Sequence, residues 1–120
     1  MFHVPYLFPE KNLKYKKRFG LQYRIAEFKR LTNKYRNRIP VIIEHDYEPG
    51  THKYLVGENM TLAQMFCVFK KDLEYNETIY FMINKNIVSS IYTMGELYRK
   101  FADEEDRFLY ITYRKEEFLG

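Results

Sequence analysis

Few side chains in this sequence are of a type that does covalent or metal chemistry, and spacing limits what each can do. Cys67 is the single cysteine, so it can form neither an internal disulfide nor a thiolate metal site, and no histidine stands near it in sequence to take its proton. On a helix it falls away from the apolar stripe, where an unreactive thiol is the expectation. His45 and His52 are spaced as ligands could be. With one cysteine and no clustered carboxylates, they read as ordinary surface or hairpin residues. The acidic run at 103–106 reads as a solvated loop. There is no Gly-rich phosphate loop, no nucleophile motif and no recognisable carboxylate pair. The chain is therefore expected to be no enzyme and to carry no metal or cofactor.

What remains is binding chemistry. The 120 residues carry a net charge of +4, but the charge is divided unevenly. Residues 1–38 hold eleven Lys/Arg against Glu10 and Glu27, a balance of +9, and residues 39–120 come to −5. A basic face of this kind attracts acidic peptides, anionic lipid, acidic protein tails or nucleic acid, and charge alone does not choose among them. The second binding signal is the segment 52–56. Lys53 and Leu55 point to one face of a strand and Tyr54 and Val56 to the other. Both faces are thus apolar beyond the first residue, so one face is open to a partner.

The elements that must position these residues follow from periodicity and turn chemistry. Length fits one domain, and 46% hydrophobic with 18% aromatic content is that of a folded protein. Residues 1–10 read as an irregular extension, because Pro5 and Pro9 interrupt a helix. A short helical turn at 11–18 precedes an amphipathic helix carrying Leu21, Ile25, Phe28 and Leu31 at three- and four-residue spacing. The β-branched run at 38–46, the Pro-Gly pair at 49–50 and the segment 52–56 form a hairpin. Thr61 with Gln64, and Thr93 with Glu96, have the spacing of capping boxes that open two further helices. The first bears Leu62, Met65, Phe66, Phe69 and Leu73 on one stripe, and the second ends near Phe101. Residues 78–84 read as a strand, a turn at 84–86 leads to a short strand at 87–90, and 108–113 is the last strand. The order describes an α+β protein, a β-grasp (ubiquitin-like) fold with additional N-terminal helices. Its organisation is an extension at 1–10, a domain at 11–113 and a flexible tail at 114–120. No apolar run spans a bilayer and no signal peptide opens the chain, so a cytoplasmic start is expected.

Five separated blocks, in order, resemble the ubiquitin-like autophagy modifiers of the GABARAP and light-chain-3 family. They are KYRNRIPVIIE at 34–44, KYLV at 53–56, NMTLAQM at 59–65, MGELY at 94–98 and EDRFLYITY at 105–113. The similarity runs from about residue 15 to residue 120. It implies a modifier whose C-terminal glycine, here Gly120, is activated, carried as a thioester and joined to phosphatidylethanolamine on autophagy-related membranes. A glycine without Cβ lets its carboxylate approach a nucleotide or a catalytic cysteine closely. The implied partners are the activating and conjugating enzymes of that pathway, cargo receptors and adaptors, and the membrane through the covalent lipid. The protein would be a monomer, cytoplasmic or, when lipidated, on autophagosomal or other intracellular membrane.

The resemblance also implies a groove in which an aromatic-x-x-aliphatic peptide adds a strand to the sheet edge and fills two pockets. The aromatic pocket falls on Leu31, Pro40, Lys53, Leu55 and Phe108. The aliphatic pocket falls on Tyr54, Val56, Met60, Met65, Val68 and Phe69, with Arg38 beside it. Lys53 and Arg38 would meet acidic residues flanking such a motif. The sequence departs from the family pattern in a short link between Glu44 and Lys53, in Gly57 for a proline, in Asp72 for a basic residue and in Leu119 for an aromatic. Residues 1–10 have no counterpart. Two other readings compete: an unconjugated ubiquitin-fold binding module, and a basic nucleic-acid-binding domain with Tyr15, Phe19 and Tyr23 stacking on bases.

Overall fold

The computed structural model describes residues 2–4, 14–73 and 78–116. Five strands, β1 (Phe2–Val4), β2 (Arg38–His45), β3 (Thr51–Gly57), β4 (Ile79–Met82) and β5 (Leu109–Lys115), alternate with α1 (Tyr15–Arg18), α2 (Leu21–Lys34), α3 (Leu62–Asp72) and α4 (Met94–Phe101). They form one sheet in the order β1-β3-β2-β5-β4. β2 and β5 run parallel at its centre, Val41 opposite Leu109 and His45 opposite Tyr113, and every other pair is antiparallel. This is the β-grasp arrangement, with one strand added outside β3.

Both capping boxes form. Thr61 accepts the N–H of Gln64 while the Gln64 amide accepts the N–H of Thr61, and Thr93 and Glu96 do the same. Each pair satisfies two backbone donors that a helix start leaves open. The two starts are joined by a bridge between Thr61 and Thr93. Beside them Gly95 donates its N–H to the Glu58 carbonyl at 2.9 Å. A Cβ at Gly95 would lie 3.0 Å from Glu58 Cβ, so a side chain there would crowd this contact.

The sheet has two faces. Val41, Ile43, Tyr54, Val56, Phe81, Leu109, Ile111 and Tyr113 meet Leu62, Met65 and Phe69 of α3 and Met94 and Leu97 of α4 in the larger core. Phe69 is its centre, with ring contacts to Tyr113, His52, Phe81 and Tyr54 at 4.9, 5.1, 5.6 and 6.1 Å. A smaller cluster on the other face gathers Ile42, Leu55 and Phe108 beneath Tyr15 of α1 and Leu31 of α2.

Three sequence expectations are corrected. Of the extension read as irregular, residues 2–4 form β1, since the residues ahead of Pro5 keep the backbone N–H groups that a ladder needs. Residues 87–90 form no strand. Asn84 and Lys85 turn the chain with positive φ of 50° and 66° into only a single bridge between Ile83 and Asn86, and Ile87 is left 75% exposed. The last strand continues past Tyr113 to Lys115, and Arg114 is tied to Asp46 at 2.5 Å. Residues 114 and 115, expected in the tail, thus belong to the last strand.

Candidate functional site

β3 separates the two clusters, and its alternation assigns the candidate pocket residues to them. Leu55 lies opposite Pro40 in the β2–β3 register, and Leu31, Leu55 and Phe108 are each no more than 1% exposed. Pro40 is also buried. Lys53, on the same side, is 4% exposed, with its ammonium 3.6 Å from Glu27 and 5.0 and 5.9 Å from the ring centres of Tyr15 and Phe108. Burial pushes the Lys53 amine below its ordinary range, with Glu27 opposing that shift. The hydrogen bond from Arg30 and the charge of Lys53 hold the Glu27 carboxyl below the usual range against its partial burial. The five aromatic-pocket residues are thus brought together, as a closed cluster rather than an open cavity.

The aliphatic set sits on the opposite side of β3. Tyr54, Val56, Met65 and Phe69 are fully buried in the larger core, with Met60 and Val68 packed partly buried against it. Arg38 is half-buried at the start of β2, opposite Gly57. The Tyr54 hydroxyl donates to Asp72 at 2.7 Å, and burial together with that carboxylate raises the Tyr54 phenol above its ordinary value. Asp72 therefore holds a residue of the candidate aliphatic set in place. Gly120 lies outside the described residues, whose last member, Glu116, donates its N–H to the Thr78 carbonyl at 2.8 Å.

The acidic run at 103–106 is not the solvated loop that composition suggests. Asp106 is completely buried. One carboxylate oxygen accepts Arg24 Nε at 2.8 Å and the Tyr110 hydroxyl at 2.5 Å, and the other accepts the Phe108 N–H at 3.0 Å. Arg24 also donates to the Phe19 carbonyl at 2.7 Å, and Lys16 reaches Asp103 at 2.5 Å. Two carboxylates of the run thus tie the N-terminal helices onto the sheet. The signal was present in the sequence: Arg24 precedes Phe28 by four residues and Leu31 by seven, so it shares their stripe and must bury with a partner.

Other candidates resolve the same way. His45 is 5% exposed, and its Nδ1 accepts the N–H groups of Tyr47 and Glu48, both at 2.9 Å. It is a buried organiser of the β2–β3 turn, and burial lowers its pKa. His52 packs edge-on against Phe69. Cys67 is exposed. Among the described residues no group of His, Cys, Asp and Glu could hold a metal ion, and no helix is long and apolar enough to cross a membrane. Of the rings invoked for base stacking, Tyr15 is fully buried, and Phe19 and Tyr23 stack on each other at 4.5 Å.

A β-grasp sheet bearing N-terminal helices, with a strand, β3, whose two sides serve two apolar clusters, defines a ubiquitin-like protein. The family model described as "Autophagy protein Atg8 ubiquitin like" matches residues 23–120, and the chain belongs to that family. The family consists of ubiquitin-like modifiers and adaptors of autophagy, not enzymes. Among solved structures, the chain is similar to Trypanosoma brucei ATG8 at 29% identity and TM-score 0.78, over 92% of this chain and all of that one. It is similar also to Plasmodium falciparum Atg8, solved in complex with a Plasmodium falciparum Atg3 peptide. There the identity is 26% and the TM-score 0.78, over 88% of this chain and 98% of that one.

Proposed function

We propose that the chain is a membrane-attached modifier that also captures peptides. Gly120 is activated at the expense of ATP and held as a thioester on a conjugating enzyme. The amine of phosphatidylethanolamine then attacks the glycine carbonyl, an amide bond forms, and the enzyme's cysteine leaves as thiolate. The β3 edge binds aromatic-x-x-aliphatic segments of cargo receptors and adaptors through strand addition. The five blocks that resemble the GABARAP and light-chain-3 type support a modifier of that branch, and the autophagosomal or another intracellular membrane is then its site of attachment.

The single observation that carries this reading is the family match running through residue 120 on a fold whose strand β3 stands between two apolar clusters. Similarity to an Atg8 solved with an Atg3 peptide supports a conjugating enzyme as partner. Incubated with the family's activating and conjugating enzymes, ATP and phosphatidylethanolamine liposomes, the protein is expected to float with lipid, and Gly120→Ala to remain behind. Equal flotation of both forms would overturn the attachment. Intact mass of the membrane-bound form separates this reading from an unconjugated binding module.

A further inference from the structure

The edge that strand addition requires is already taken. β1 pairs antiparallel with β3, placing Phe2 opposite Leu55, His3 opposite Tyr54 and Val4 opposite Lys53. These three β3 positions are the ones assigned to peptide capture: Lys53 and Leu55 to one pocket, Tyr54 to the other. The pockets they face are closed as well, since Lys53, Tyr54 and Leu55 are 4%, 0% and 0% exposed. A strand edge has one row of outward N–H and C=O groups, and a row satisfied by β1 cannot also serve an incoming segment.

We propose that β1 is a built-in competitor, covering the β3 edge so that peptide capture requires its displacement. The inference rests on the reading of that edge as the peptide site. The chemistry suits a reversible occupant. β1 is only three residues long, and Pro5 has no N–H with which to prolong the ladder. A three-residue strand holds an edge weakly enough to be exchanged and strongly enough to compete, because it is tethered to the domain and acts at high effective concentration. If the edge is open about one-tenth of the time, the apparent Kd of any peptide rises about tenfold.

The experiment compares the full chain, a form lacking residues 1–10 and the variant His3→Pro, which interrupts β1 without shortening the chain. The probe is a synthetic peptide of three aspartates followed by Phe-Ala-Ala-Leu, titrated by fluorescence anisotropy. Amide shifts across residues 53–56 report where it binds, and hydrogen exchange of the same amides is followed without peptide. Expected are about tenfold tighter binding by both altered forms, shifts at 53–56 in all three, and faster exchange there once β1 is lost. Equal affinity in all three forms, with shifts at 53–56, would overturn the competitor and leave the peptide site standing. Binding by none of them, or with shifts elsewhere, would overturn the reading of the edge as a peptide site and the competitor with it.

Discussion

The two faces of the sheet are built on different physics. The face under α3 and α4 is a continuous apolar core that includes Phe69, Met65, Tyr54 and Val56, with the Tyr54 hydroxyl bonded to Asp72. The face under α1 and α2 has only a small apolar cluster and is completed by buried charge: Arg24 with Asp106, and Lys53 with Glu27. Apolar burial is non-directional, and each large side chain fully removed from water contributes about 1.5–3 kcal/mol. Buried ion pairs return their desolvation cost only in one geometry. The first face secures the fold, and the second fixes how the N-terminal helices sit beside the β3 edge.

The strongest way to break this contrast is to damage each face once. Phe69→Ala should cost about 3–5 kcal/mol through the cavity it leaves. Asp106→Ala should cost a similar 3–5 kcal/mol, because it strands the Arg24 guanidinium without its carboxylate. Urea denaturation measures both. What distinguishes them is rescue: Arg24→Met combined with Asp106→Leu should recover most of the loss on the charged face. A double mutant no more stable than Asp106→Ala would mean that this face depends on its charges as the other does on volume.

Effects on binding should be smaller. Leu55→Ala and Phe108→Ala, from the charged side of the β3 edge, should each weaken capture of an acidic-flanked aromatic-x-x-leucine peptide by about 1–3 kcal/mol, the range of central interface anchors. Calorimetric titration of variants shown to be folded by circular dichroism is the measurement. Unchanged affinity would place the peptide elsewhere.

The gentlest probe is pH, acting where β2 turns into β3. His45 is neutral when its Nδ1 accepts two N–H groups, and burial depresses its pKa below the ordinary 6.5. Below pH 6.5 the unfolded chain takes up the proton before the folded one does. Stability is therefore fully present above pH 6.5 and declines as pH falls towards the folded pKa. Melting temperature against pH should show that decline, and His45→Gln should flatten it between pH 6.5 and 5. An identical slope in the variant would assign the decline to other groups.

Much of the fold was legible because it is written in local rules. The capping boxes at Thr61 and Thr93 need only three-residue spacing, the α3 stripe only a 3.6 period, and the turn at Asn84 and Lys85 only residues that start a turn. The candidate pocket residues were legible only through the resemblance, since spacing alone could not tell Leu55 on one face from Phe69 beneath the other. Two features were misread for one reason. Asp106 looked solvated and residues 2–4 looked irregular, because each acquires its role from a partner distant in sequence.

By itself, then, the sequence determined the helices, their caps, the apolar stripes and the β2, β3, β4 and β5 strands, since each depends on neighbours within a turn of helix or a pair of strand residues. Tertiary structure alone decided which partner each buried charge meets and what covers the β3 edge. Arg24 meets Asp106 across 82 residues, and Phe2 meets Leu55 across the width of a sheet edge. Such contacts follow from where whole elements come to rest, and no local spacing encodes that.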